Sequence, residues 1–168
     1  MMPRDDRPWS VPVNLEDIPE TGSHYNLAAD KAARDAVARA AGVRDLPTLE
    51  AVFDLSRRDA GVVAQGEVRA RVGQTCVVTL EPIENEIREA VDVVFAPSSK
   101  PDPAVKPKGE PPEPLENGII DLGVIATEFL ILGLDPYPRK PGAEFASAPV
   151  DQKGESPFAA LSKLKKRQ

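Results

Sequence analysis

Apolar residues recur along this chain with two periods. In several stretches they fall at every second position. Leu49, Ala51, Phe53 and Leu55 alternate with Glu50, Val52, Asp54 and Ser56, the pattern of a strand with one buried face. Val62, Ala64, Gly66, Val68, Ala70 and Val72 oppose Gln65, Glu67, Arg69 and Arg71. Gly66 in mid-strand marks a bulge or a close approach by another element. Ile87, Glu89, Val91, Val93 and Phe95 alternate with Arg88, Ala90, Asp92 and Val94. Between these two stretches, Cys76–Leu80 is apolar on both faces and predicts a central strand, bounded by a tight link at Gly73-Gln74 and by Glu81-Pro82. Trp9, Val11 and Val13 predict a short strand, placed at an edge by Pro12, which cannot donate to a ladder; Trp9 reads as a core or edge cover. His24–Leu27 predicts another short strand. The short connections favour an antiparallel meander.

Two stretches follow the helical period instead. Ala33, Ala36, Val37, Ala40 and Ala41 share one face of a helix over Asp30–Ala41, with Asp30 as N-cap and Gly42 at the position that takes a left-handed residue. The second runs through Asn117–Arg139. Asn117-Gly118 makes a turn and Ile119-Ile120 a β-branched pair. Asp121 sits at an N-cap, and Leu122–Leu134 is apolar nearly all round, broken by Thr127 and Glu128. Such a helix belongs inside a fold and is shorter than the roughly 20 apolar residues that a bilayer requires. Gly133 and Asp135-Pro136 end it.

Three segments lack either period. Residues 1–8 read as a loose leader without the apolar run of a signal peptide. Residues 96–116 are dense in proline, lysine and acid, and predict an extended, mobile insertion. Residues 140–168 predict a mostly disordered tail ending in a short basic helix: Ser156 caps it, Pro157 takes its first position, and Phe158, Leu161 and Leu164 share a face. The expectation is a single α+β domain over residues 9–139. Its curved antiparallel sheet of about four to six strands, open or partly closed into a barrel, would pack against the two main helices.

Composition narrows the chemistry. The net charge of −6 disfavours broad contact with nucleic acid or anionic membrane, so any RNA contact must be local and cationic. Arg57, Arg58, Arg69 and Arg71 are candidates, interleaved with Asp59 and Glu67. The terminal Lys163, Lys165, Lys166 and Arg167 are another set, because no acid follows Glu155. A single histidine, His24, excludes a histidine-pair metal site, and a single cysteine, Cys76, excludes an internal disulfide and a thiolate-built zinc site. Cys76 in an apolar strand reads as structural, and Glu81, Glu84 and Glu86 as a solvated turn. Phosphate-binding loop, dinucleotide fingerprint and serine-elbow motifs are all missing. The expectation is a cytoplasmic, non-enzymatic protein without cofactor or metal, with a thiol or acid–base enzyme as the remote alternative.

GEVRARVGQTCVVTLEPIENEIREAVDVVFAP (Gly66–Pro97), IIDLGVIATEFLILGLDPYPR (Ile119–Arg139) and the terminal PFAALSKLKK together resemble the YceD-like family of large ribosomal RNA subunit accumulation proteins, found in bacteria and plastids. The residues carrying the resemblance include Cys76, Thr79, Glu81, Pro82, Asp121, Tyr137, Pro138 and Arg139. It implies a non-enzymatic role in synthesis, processing or accumulation of large-subunit (23S) ribosomal RNA. That role could run through direct RNA contact or through an adaptor function toward a basic ribosomal protein, an assembly protein or an RNA-processing enzyme. Members are often encoded beside a large-subunit ribosomal protein. Many carry Cys-x-x-Cys where this chain has Cys76 and Thr79, so a metal or redox role for that motif does not carry over.

Overall fold

The computed structural model describes residues 7–58, 61–97, 112–115 and 117–145. In chain order they form β1 (Pro12–Asn14), a 3-10 turn (Leu15–Asp17), β2 (Ser23–Ala28), α1 (Lys31–Ala41), β3 (Asp45–Arg58), β4 (Gly61–Thr75), β5 (Pro82–Pro97), β6 (Glu113–Leu115), β7 (Ile119–Asp121) and α2 (Leu122–Leu132). The strands make a five-stranded sheet of order β2-β3-β4-β5-β6 and a separate β1-β7 pair. The β2-β3-β4-β5 run is the antiparallel meander that the short connections predict, while β6 joins β5 in parallel. The sheet is open: β2 and β6 are its edges, so the barrel alternative does not hold.

Period-2 patterning fixes the register, because slipping one residue would turn every apolar side chain outward. Leu49, Ala70 and Ile87 form one inward row; Phe53, Gly66 and Val91 form another. Phe53 is fully buried, worth roughly 2–3 kcal/mol in apolar area alone. Gly66 answers to a close approach. A Cβ there would lie 1.9 Å from the Val52 carbonyl oxygen on β3.

Both helices begin where their caps predict. The Asp30 carboxylate accepts from the Ala33 N–H at 2.8 Å, and Gly42 closes α1 with φ of 67°. The buried face of α1 is carried by Val37 and Ala38, with Ala40 exposed, so the face is turned slightly from the predicted one. The Asp121 carboxylate caps α2 through the Gly123 and Val124 N–H groups at 3.1 and 3.3 Å. It also accepts from Arg7 Nη1 at 2.9 Å, Ser10 Oγ at 2.6 Å and the Val11 N–H at 2.8 Å. One buried carboxylate thus ties the N-terminal segment to the start of α2.

Four expectations are corrected. Cys76–Leu80 is a turn between β4 and β5, and Gly73-Gln74 lies inside β4. Its β-branched run reads as strand, but Leu80 adopts a positive φ of 60° and its N–H returns to the Cys76 carbonyl at 2.9 Å. Residues 113–115, at the end of the proline-rich stretch, form β6 and bury Leu115; proline is tolerated there because the strand is an edge. Arg7, in the expected loose leader, is held by Asp121. Residues 140–145, assigned to the tail, include Lys140, whose N–H is bonded to Cys76. The rest of the proline-rich stretch beyond Pro97, residues 1–6 and the tail from 146 lie outside the described residues. No helix among the described residues is long and apolar enough to cross a membrane.

Candidate functional site

The turn after β4 and the segment leaving α2 are built against each other. Cys76 is fully buried. Its Sγ accepts from the Thr79 N–H at 3.4 Å and the Lys140 N–H at 3.3 Å. The Val77 N–H donates to the Pro138 carbonyl at 2.9 Å, and Lys140 Nζ reaches Glu81 Oε2 at 3.0 Å. The Lys140 and Thr79 donors favour the thiolate and outweigh the opposing effect of burial, lowering the Cys76 pKa to about 6. The Lys140 ammonium likewise lowers the Glu81 pKa. Cys76, Thr79, Glu81 and Pro138 are therefore one assembly, with Pro82 starting β5 at its edge. Tyr137 and Arg139 on the same exit segment are exposed. Asp121 stands at the other end of α2, about 16 Å away for a helix of 11 residues.

Beside this assembly lies a cleft of about 660 Å³. Its apolar lining includes Val43 after α1, Val77 on the turn, and Ile131, Leu134, Pro136 and Pro138 at the end of α2. Two of the lining side chains face solvent, Val77 at 46% exposed and Ile131 at 42%; outside the lining, Leu80 on the same turn, Leu132 and Tyr137 are 70–76% exposed. The all-round apolar pattern of α2 predicts burial, but only one side of its last turn packs: Leu130 is fully buried and Gly133 lies against Ile87 and Glu89 of β5, while Ile131 and Leu132 face solvent. The polar part of the lining is mixed in charge. The C-terminal ends of α1 and α2 both line the cleft, and helix C-termini carry partial negative charge. Asp135 adds a carboxylate, held by the Tyr137 N–H at 2.9 Å. Arg44, the lining cation, is paired with Asp45 at 2.6 Å.

The arginines predicted as one contact surface are divided. Arg69 and Arg71 lie exposed on the outer face of β4, with Arg88 directly across from Arg69 on β5. Arg57 shares the inward parity of Phe53 and Leu55, and its guanidinium donates to the Leu15 carbonyl. Arg57 pairs with Val62, and Arg69 with Glu50, seven β3 positions apart or roughly 24 Å along the strand. Arg58 stands at the Arg57 end. Arg69 is paired with Glu67 and Arg71 with Glu84, so the outer face is a lattice of mixed charge. Arg88 was missed because register alone sets it beside Arg69. His24 is exposed on edge strand β2, 2.6 Å from Asp54 Oδ1. Lys163, Lys165, Lys166 and Arg167 lie outside the described residues.

The described residues thus form an open α+β scaffold, a five-stranded sheet with a separate β1-β7 pair, and its apolar cleft is set at the ends of two helices. The sequence model of the family described as large ribosomal RNA subunit accumulation protein YceD matches residues 64–165, more than half of the chain. The chain belongs to the YceD family, which ties it to accumulation of large-subunit ribosomal RNA. The matched stretch takes in most of β4, the Cys76 turn, β5, α2 and the exit segment, and leaves out α1 and β3. No curated protein and no solved structure gives a significant match.

Proposed function

We propose that this chain is a non-enzymatic cytoplasmic factor that supports accumulation of large-subunit ribosomal RNA by binding a protein in the cleft at the ends of α1 and α2. The observation that carries this reading is the apolar lining of that cleft, solvent-facing at Val77 and Ile131 and continued by Leu134, Pro136 and Pro138, with Leu80 and Tyr137 exposed on the same turn and exit segment. Exposed apolar surface in a concave site marks interaction sites. The two helix C-termini and Asp135 favour a partner segment that combines apolar side chains with cations. Basic ribosomal and assembly proteins have that chemistry, and the net charge of −6 would steer them toward it.

A second reading is direct contact with large-subunit RNA. It is favoured by the acid-free run of Lys163, Lys165, Lys166 and Arg167, and by Arg69, Arg71 and Arg88 on one sheet face. The carboxylates of Glu67 and Glu84 already engage two of those arginines, which weakens the sheet as a phosphate surface.

The two readings separate in cells lacking the native copy. One variant carries Val77→Asp with Ile131→Asp; the other carries Arg69→Glu, Arg71→Glu and Arg88→Glu. All five side chains are exposed, so both variants should keep the wild-type melting transition. The readout is the ratio of large- to small-subunit ribosomal RNA. Protein docking requires the cleft variant to lower the ratio while the sheet variant holds it. The opposite result, joined by RNA binding that weakens steeply with salt and loses slope on removal of residues 156–168, would overturn it.

A further inference from the structure

We propose that the chain's own C-terminal segment, residues 156–168, docks in the cleft and competes there with an incoming partner. This rests on the reading of the cleft as a recognition surface and names its regulation.

The cleft offers Val77, Ile131 and Leu134 to an apolar face, and two helix C-termini and Asp135 to cations, with the lining cation Arg44 already paired with Asp45. The terminal segment supplies both. Phe158, Leu161 and Leu164 recur at three-residue spacing, and Lys163, Lys165, Lys166 and Arg167 follow with no acid among them. Helix C-termini favour nearby cations, so the complementarity has a defined sign.

The connection also fits. Lys140 is fixed at the edge of the cleft by its bond to Cys76 Sγ. Residues 141–155 then separate it from Ser156. Fifteen residues reach at most about 50 Å, so the segment that follows them can return to a cleft beside their origin. Such a tether holds its end at an effective concentration on the order of 1 mM. A segment with an intrinsic Kd of about 0.1 mM would therefore occupy the cleft about nine-tenths of the time. The family match extends to residue 165 and so includes residues 156–165 of this segment as well as the turn and α2.

A fluorescent peptide of sequence SPFAALSKLKKRQ, titrated into three full-length chains, tests this. The chains are the native protein, Leu161→Asp and Val77→Asp. If the tethered segment fills the cleft, the peptide binds the Leu161→Asp chain about ten-fold more tightly than the native chain and loses binding to Val77→Asp. A photo-cross-linking residue at position 161 in the native chain then yields adducts on Val77, Ile131 or Leu134 within one molecule. Equal peptide affinity for the native and Leu161→Asp chains overturns the proposal, as does no binding to either, or adducts formed only between isotopically distinct copies. The cleft reading is judged separately, by the ribosomal RNA ratio in Val77→Asp/Ile131→Asp cells.

Discussion

Replacing Asp121 should unlock the N-terminal segment and α2 together. Its carboxylate accepts five hydrogen bonds, from Arg7, Ser10, Val11, Gly123 and Val124. Burial works to raise its pKa, but these donors outweigh burial and lower it overall. In Asp121→Ala, loss of the helix cap costs about 1 kcal/mol. Losing the charged bonds to Arg7 and Ser10, with the Val11 N–H left unpartnered, costs about 2 kcal/mol more. The total of roughly 3 kcal/mol corresponds to a fall in Tm of about 10 °C. Asp121→Asn keeps an oxygen for the Oδ1 partners and removes the charge, so it should lose about half as much. Urea unfolding of the three proteins measures both numbers. The pH dependence has a fixed sign. With its folded pKa depressed, the carboxylate stabilises fully above its unfolded pKa of about 4, and that stabilisation is lost as pH falls through the folded value. The native advantage over Asp121→Ala should therefore shrink in acid. A loss below about 1 kcal/mol, or equal losses for Ala and Asn, would refute this account of the network.

Three other perturbations probe separate parts of the fold. Burial, with some repulsion from Glu113, raises the Glu128 pKa, so ionisation of Glu128 disfavours the folded state. Glu128→Gln should stabilise at neutral pH, with the gain vanishing below the unfolded pKa of about 4; a gain that persists in acid refutes the cause. Cys76 titrates at about 6 in the folded chain against about 8.5 unfolded. Denaturation of the native chain and Cys76→Ala should therefore show the native advantage growing as pH rises across that interval, while a pH-independent difference would rule out thiolate stabilisation. Gly66→Ala sets a Cβ against the Val52 carbonyl and should cost about 3 kcal/mol, read as a lower urea midpoint; a near-native midpoint would show that β3 yields there.

Local pattern determined much of the molecule. The caps at Asp30 and Asp121 and the stop at Gly42 were legible because capping depends on a few neighbouring residues. The inward rows of β3, β4 and β5 were legible because alternation admits one buried face. The family could be recognised from the sequence through the Gly66–Pro97 and Ile119–Arg139 stretches. Tertiary structure decided what depends on distant partners. Cys76–Val77–Val78–Thr79–Leu80 has the composition of a strand, yet Pro138 and Lys140 hold it as a turn. Arg7 is ordered by a carboxylate 114 positions away. Register put Arg88 beside Arg69, and strand parity turned Arg57 to the other face. The cleft was the least legible feature. An apolar helix announces burial, but only packing shows which side is covered, and at the end of α2 Leu130 and Gly133 meet the fold while Ile131 and Leu132 face solvent.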